Sequence, residues 1–348
     1  MKKFLALILS VAMIFALVAC GSKEGDTPNT DGDTQQTDTP AAPVDIVIAT
    51  GGTTGTYYAV GNALVTTIGD KLSLSKLTAV DSGASKANVQ LVTANQAQMS
   101  ILQSDVLNYA HNGSGGETMF DGAADKNSLW VAGVYNETVQ LVTAPSITSI
   151  EDLKGKTVVA AGKGSTPEYA LRYLLSENGI DPDADVTLDW KSEHSECVAA
   201  LASGQASIAL LPQPFVTVAQ SKIEGLRMAL DLNAEWDALD NGSALITGVI
   251  VARRAVVEEN PAAVNEFLKE YAASVDYVNA NTADAAALIG EYSIVDAAVA
   301  EKALPYCNIV CLTGADLLEA LPGYLEVLYN ASPAAVGGEM PDNSFYFA

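Results

Sequence analysis

An α/β fold of two lobes, with a central cleft and two crossover segments, is predicted by three observations. Short apolar runs repeatedly feed a loop of Gly, Ser or Thr and then a helical pattern. This alternation comes in two series of similar layout, Gly51 to Gln103 spanning 52 positions and Gly162 to Pro212 spanning 50. The roughly 305 residues from Val44 onward have a length that ordinarily makes two compact domains.

The first series begins with VDIVIAT, its loop GGTTGTYY and a helix through Leu64 to Ile68. KLTAVD, the loop SGAS and the helix of NVQLVTANQ follow, then the strand QMSILQSD. SLWVAGVYNETVQLVTAPS supplies two strand-like runs that end the first lobe and cross into the second. There TVVAAG leads through KGSTP into the helix YALRYLLSENG, with Gly179 placed to end it. DVTLDW, SECVAALASGQ and ASIALLP read as strand, helix and strand. ALITGVIVARRAVVEENP is the return crossing, and Pro261 suits a helix start because its missing N–H is unneeded there. The helical segments after it are expected to cover the first lobe. The expected organisation is therefore 44–140 with 246–348 as lobe 1 and 141–245 as lobe 2.

Ahead of these lobes, MKKFLALILSVAMIFALVAC sets Lys2 and Lys3 before an apolar run from Phe4 to Val18. This reads as a secretory leader over 1–19, since the run is short for a bilayer crossing and polar sequence follows at once. Leu17-Val18-Ala19-Cys20 resembles the lipobox of bacterial lipoproteins, which implies that Cys20 carries lipid and anchors the chain to a membrane's outer face. Residues 20–43 then hold the lipidated cysteine and a tether rich in Asp, Thr, Gly and Pro, with nothing to bury.

The 348-residue chain is 49% apolar and carries a net charge of -24. That charge argues against nucleic acid as a partner and against electrostatic attachment to anionic lipid. Local donors can still hold an anion. His111 and His194 are the only histidines, so a zinc site or a catalytic triad would depend on very few residues. Cys307 and Cys311 could pair outside the cytoplasm, but two thiols make a poor metal site. G-x-G-x-x-G is absent, so no dinucleotide and no other cofactor is expected.

This arrangement resembles the type II periplasmic binding proteins, the solute receptors of bacterial importers. GGTTGTYYAVG, DSGASKANVQLVTANQAQMSILQSDVLNYAHNG and VYNETVQLV look like the TAXI receptors of TRAP transporters. From Ile147 onward, ITSIEDLKGKTVVAAGKGSTPEYALRYLL, SEHSECVAALASGQASIALLPQPFVTVAQ, NPAAVNEFLKEYAASVDYVN and PDNSFYF resemble the ABC-transporter receptors of the nitrate, sulfonate and taurine type. The resemblance implies two lobes closing on a small polar or amphipathic organic solute, an anion ahead of an amine, for delivery to membrane permease subunits. A TRAP permease is the alternative to an ABC permease.

Ligands of open α/β sheets bind beyond the carboxyl ends of strands, which puts the loops at the cleft walls. In the first lobe the candidates are Gly52, Thr53, Thr54, Gly55 and Tyr58, offering close backbone approach, hydroxyls and a flat ring with a polar end. Ser82 and Gly83 follow the second strand, and Gln103, Ser104 and Asp105 the third. Ser82 and Asp105 are equally good helix caps. Gly164, Ser165, Thr166 and Pro167 answer from the second lobe, with Glu168 weakening any field there. Gln213 in PQPF is a further candidate, or simply a loop tip, and Tyr135 either faces the cleft or packs the hinge. Trp130 and Trp190 read as core, while Lys163 and Arg172 stand beside the second-lobe loop.

These features favour a receptor over an enzyme. An enzyme would have to recruit Asp105 with Ser165, or His194 with Cys197 three residues on. A surface lipoprotein without a transport role is the third class.

Overall fold

The computed structural model describes residues 42–53, 55–113, 120, 122, 124–136, 139–143 and 147–347. The expected leader, Cys20 and nearly all of the tether lie outside them, as does Thr54. Among the described residues, no helix is long and apolar enough to cross a membrane.

Two sheets organise the chain. The first contains β1 (Val44–Ala49), β2 (Ser75–Val80), β3 (Met99–Gln103), β4 (Ser128–Asn136), β10 (Ile246–Arg253) and β11 (Ile309–Leu312), in the order β11-β4-β10-β3-β1-β2. The second contains β5 (Gln140–Thr143), β6 (Thr157–Ala161), β7 (Thr187–Lys191), β8 (Ile208–Leu211) and β9 (Arg227–Asp231), in the order β7-β6-β8-β5-β9. Strands β1, β2 and β3 run parallel, as do β6, β7 and β8, and the crossing strands β10 and β5 pair antiparallel to them. The chain passes between the sheets twice, after β4 and after β9, giving a mixed α/β periplasmic-binding-protein-like architecture.

Helices follow the strands as the repeated pattern anticipates: α1 (Thr56–Ile68), α2 (Ser85–Thr93) and α3 (Ser104–Asn112) on the first sheet, then α4 (Thr166–Glu177), α5 (His194–Ala202), α6 (Phe215–Lys222) and α7 (Leu232–Asp237) on the second. After β10 come α8 (Arg254–Glu259), α9 (Pro261–Ala280), α10 (Thr282–Glu291), α11 (Ala297–Ala303) and α12 (Gly314–Ala331).

Strand periodicity explains how each sheet is covered on both faces. In β1, Ile46 and Ile48 join Leu64 and Ile68 of α1 with Phe267 and Tyr271 of α9, whereas Val47 faces Val92 of α2 and Ala97. In the second sheet, Val158, Ala160 and Leu210 join one core, while Val159, Ala161 and Ala209 meet Val198 and Leu201 of α5 and Val216 of α6.

The last long helix departs from the expectation that the C-terminal segments cover the first lobe. Helix α9 does so, but the apolar stripe of α12, Leu317, Leu321, Tyr324, Leu325 and Leu328, enters a core shared by both sheets. That core holds Leu171 and Leu174 of α4 and Trp236 of α7 together with Leu102, Trp130 and Val249 of the first sheet. Tyr324 lies 5.7 Å from the Trp236 ring, and its hydroxyl donates to Thr166 Oγ1 at 3.2 Å. Trp130 is fully buried as expected, edge-on to Phe345 of the PDNSFYF tail. Arg254 holds that tail by donating to Ser344 O at 2.6 Å, rather than pairing with the acidic surface alone.

Leu321→Ala should therefore lower unfolding free energy by about 2–5 kcal/mol, the usual range for emptying a buried leucine site. Leu318→Ala, at a side chain 37% exposed, should change it by well under about 1 kcal/mol; urea denaturation of both variants checks the contrast.

Candidate functional site

The strand ends of the first lobe are drawn together by one buried amide. Asn88, on α2, donates to the carbonyls of Thr50 and Ile101, just past the end of β1 and inside β3. Thr50 Oγ1 donates to Val80 O at the end of β2, 2.7 Å away. Ser82 bridges Asn88 Oδ1 and the Ala84 N–H, which donates to its hydroxyl at 3.1 Å. Ala84 is thereby held at φ 65°, ψ -154°, a region that glycine almost alone occupies. The strained residue of SGAS is thus Ala84 and not the glycine beside it.

The second lobe has its own buried relay. Thr217 Oγ1 donates to Gln213 Oε1 at 2.9 Å, Gln213 Nε2 to Gln140 Oε1 at 2.9 Å, and Gln140 Nε2 to Asp231 Oδ2 at 2.8 Å. This fixes the turn after β8, in which the Gln213–Pro214 peptide is cis.

Between these two sets of loops lies a cavity of about 470 Å³. Gly51, Gly52, Gly55, Ala84 and Gln103 line it from the first lobe, with Thr56 and Tyr57 at the start of α1. Ser165, Pro167, Pro212 and Phe215 line it from the second, with Ser192 to Ser195 where α5 begins. Tyr135, Val139 and Thr247 line it from the crossing segments. An adjoining cavity of about 620 Å³ takes Thr53, Tyr58 and Gln213, and shares Gly55, Thr56, Tyr135 and Phe215 with the first.

Of the residues singled out in the sequence, Gly52, Gly55, Gln103, Tyr135, Ser165 and Pro167 thus meet around one space. Others serve the frame. Ser104 is buried and donates to Ile246 O at 2.9 Å; Thr166 is buried beneath Tyr324. Asp105 is fully buried inside the first turn of α3, one oxygen accepting the Val106 N–H at 2.9 Å; the cap position is Gln103, so Asp105 does not take the capping role weighed for it. Ser82 and Gly83 shape the loop behind Ala84, and the Gly164 N–H, at φ 77°, is taken by Glu168 at 2.7 Å. Gln213 spends both ends of its amide in the relay. Arg172 is turned to Glu168 and Asp183, at 2.9 and 2.8 Å.

Ser192, Glu193 and Ser195 are not among the residues singled out, and His194 is weighed only for catalysis. They follow β7 as the KGSTP loop follows β6, so the repeat of strand, loop and helix was the available signal.

The electrostatics differ between the walls. No Lys or Arg among the described residues lines the 470 Å³ cavity. Helices α1 and α2 begin with no acidic residue in the first turn and no side chain of a described residue capping them, and Gly55, Thr56, Tyr57 and Ala84 at these starts line the space. In the second lobe Glu168 covers the entry to α4, and Glu196 accepts the N–H groups of Ser192 and Glu193 at 2.9 and 3.2 Å before α5.

The pairing of His194 with Cys197 does not supply an activated thiol. Cys197 is fully buried, and burial pushes its thiol up to about 11, so it stays protonated. His194 tilts over Phe215 at 5.3 Å, and burial lowers it to about 4. Cys197, Cys307 and Cys311 are all free thiols.

The Tyr135 ring, common to both cavities, lies against the bare Cα of Gly248, where an added Cβ would overlap it. Gly248→Ala should cost about 1–3 kcal/mol by forcing the ring away. The double variant with Tyr135→Ala should recover part of that loss, as a double-mutant cycle in urea would read.

His194 also sets a pH dependence. Its ordinary value of 6.5 applies in the unfolded chain and about 4 in the folded one, so as pH falls through this interval the unfolded chain takes up the proton first. Stability should be complete above 6.5 and decline towards 4. Burial lowers His111 as well, so the comparison must be with His194→Gln, whose decline should be shallower.

Comparison with known proteins places this geometry. The NMT1-like family matches residues 48–234, taking in blocks on both sides of Ile147, so the sequence division at that point does not appear in the match. A candidate binding protein of Brucella abortus strain 2308 is 24% identical over 212 residues, 61% of this chain; the chain spans 63% of that relative's length. An ABC transporter structure from Parabacteroides distasonis superposes with a TM-score of 0.68 at 18% identity, over 88% of this chain and 99% of the other. The periplasmic aliphatic sulphonate binding protein SsuA from Escherichia coli gives 0.65 at 17% identity, over 88% and 92%.

Proposed function

The chain belongs to the NMT1-like family, and from that membership and the cleft we propose that it is an extracytoplasmic receptor delivering a small organic anion to an ABC importer. The observation that carries the reading is a ligand-sized hollow walled by strand-end loops of both sheets, with Gly52, Gly55, Gln103, Tyr135, Ser165 and Pro167 around it. A solute touching both walls favours the closed arrangement over the open one, and a permease that recognises the closed form then receives only loaded receptor.

In this reading the anionic group sits against the starts of α1 and α2, whose N–H groups are not taken by carboxylates. Thr53 and Tyr58 line the adjoining cavity on the same side, and Thr54 is a ligand contact of this reading that lies outside the described residues. Ser165, Ser192 and Ser195 hydrogen-bond the rest of the solute from the other side. Ser82, Gly83, Ser104, Asp105, Gly164, Thr166 and Gln213 hold the loops in shape. Binding alone needs no nucleophile, in keeping with a protonated Cys197. Lipid on Cys20 would keep the receptor at the outer face of the cell membrane. The TAXI-like blocks GGTTGTYYAVG and VYNETVQLV support a TRAP permease as the second reading, which the neighbouring genes decide: an ATPase with a permease, or a large fused membrane subunit.

Thermal unfolding of purified, solute-stripped protein against dicarboxylates, glutamate, sulfonates including taurine, nitrate and simple amines tests the proposal. A cognate anion should raise stability in proportion to the logarithm of its concentration, by about 2.7 kcal/mol at a hundredfold excess over Kd. Ser165→Ala should weaken it by about tenfold, the loss of one hydrogen bond. Stabilisation by amines alone would overturn the anionic assignment, and stabilisation by no solute would favour the surface-protein class.

A further inference from the structure

The wall of the 470 Å³ cavity holds a side chain whose charge is not fixed. Among the described residues no Lys or Arg lines that space, and Glu193 is the carboxylate residue on it. His194, the first residue of α5, is therefore the described lining residue able to become a cation.

The ring is set apart from partners. It tilts over Phe215 at 5.3 Å, and its Nδ1 is buried with no hydrogen-bond partner among the described residues. The carboxylates of its own helix are spent elsewhere: Glu193 and Glu196 form a reciprocal cap at the start of α5, with Glu196 accepting the Ser192 and Glu193 N–H groups. Cys197, one turn on, is a protonated thiol. On β7, Lys191 is paired with Asp189 at 2.9 Å. The neighbour on α6 is the apolar Phe215, and the titratable groups elsewhere on the cavity wall are the Tyr57 and Tyr135 phenols. Burial alone lowers His194, to about 4, and no carboxylate offsets it.

An anion in the cavity supplies the countercharge that the ring lacks. A sphere of 470 Å³ is about 10 Å across, and a unit charge about 8 Å away, at an effective dielectric of about 20, displaces a protonation equilibrium about thirtyfold. Building on the receptor reading, we propose that His194 is a specificity residue that takes up a proton together with the solute, so that the cleft meets an anion with a cation formed on binding. The proton comes from solvent and leaves the imidazole when the solute does. A neutral analogue of the same shape recruits no proton, and this separates anions from their isosteres.

Calorimetric titration of the purified, solute-stripped protein with nitrate, sulfonates including taurine, and glutamate tests this, since these probes keep a negative charge from pH 7 to pH 5. Solute binding raises the imidazole's proton affinity, so affinity for the anion should increase as pH falls, by about fourfold from pH 7 to pH 5. The measured heat should also differ between two buffers of unlike ionisation enthalpy, reporting the proton taken up. Both dependences should vanish in His194→Gln. The chain has two histidines, so imidazole NMR signals of tag-free wild-type protein give a readout that needs no variant of the site: with bound probe, one of the two titrations should move upward by more than about one pH unit. His111→Gln then identifies the moved signal. Binding with no pH dependence, a dependence kept in His194→Gln, or two unmoved imidazole titrations would overturn this role of His194 while leaving the receptor reading in place. Binding of none of the probes would overturn the anionic reading and this inference with it.

Discussion

The cleft depends on a buried amide. Asn88 gathers β1 and β3 through two carbonyl acceptors, with β2 joined to them through Thr50, and its own oxygen is satisfied by Ser82. Removing this amide would take a donor from two carbonyls, of which Thr50 O also accepts from the Ser82 hydroxyl at 3.1 Å, and would leave that hydroxyl without its Asn88 acceptor. The geometry of the first wall follows from this clamp: the loop after β1 starts from a fixed Thr50, and Ala84 is kept in a backbone region it would not choose. The relay from Thr217 through Gln213 and Gln140 to Asp231 does the same for the second wall. Two preformed frames thus face each other, with the starts of α1 and α2 on one wall of the space and the start of α5 on the other.

The placement of carboxylates gives that space a direction. A net charge of -24 does not decide the ligand, because the acidic side chains nearest the space are already engaged with backbone N–H groups. Glu168 and Glu196 quench the starts of α4 and α5, whereas α1 and α2 keep theirs. Glu193 brings a carboxylate residue to the second wall beside Ser192 and Ser195, whereas the wall built by the starts of α1 and α2 has none.

Much of this was legible in the sequence because strand, loop and helix recur with short connections. The Gly51–Gly55 loop, Gln103 and Ser165 follow from that rule, and each lines the space. The rule does not say which way a polar side chain turns. Ser104, Thr166 and Gln213 stand at the right ends of their strands, yet they bond Ile246, Tyr324 and Gln140, partners remote in sequence. The adjoining cavity was invisible for the same reason: Ala59 meets Val295 only because the helices after β10 return to the first lobe. Ser192 to Ser195 needed no tertiary knowledge, only the repeat carried one loop further.

The stripe of α12 carries a consequence for how the molecule comes apart. Leu321 and Tyr324 share a core with Leu171 on one side and Trp130 on the other, so neither lobe owns a private hydrophobic nucleus there. Opening the last helix exposes the underside of α4 and the floor of the first sheet in one event, while each lobe keeps a core of its own, under α9 in one and under α5 and α6 in the other. The same helix thus ties the two lobes through one shared core, although it lies more than a hundred residues from the loops it supports.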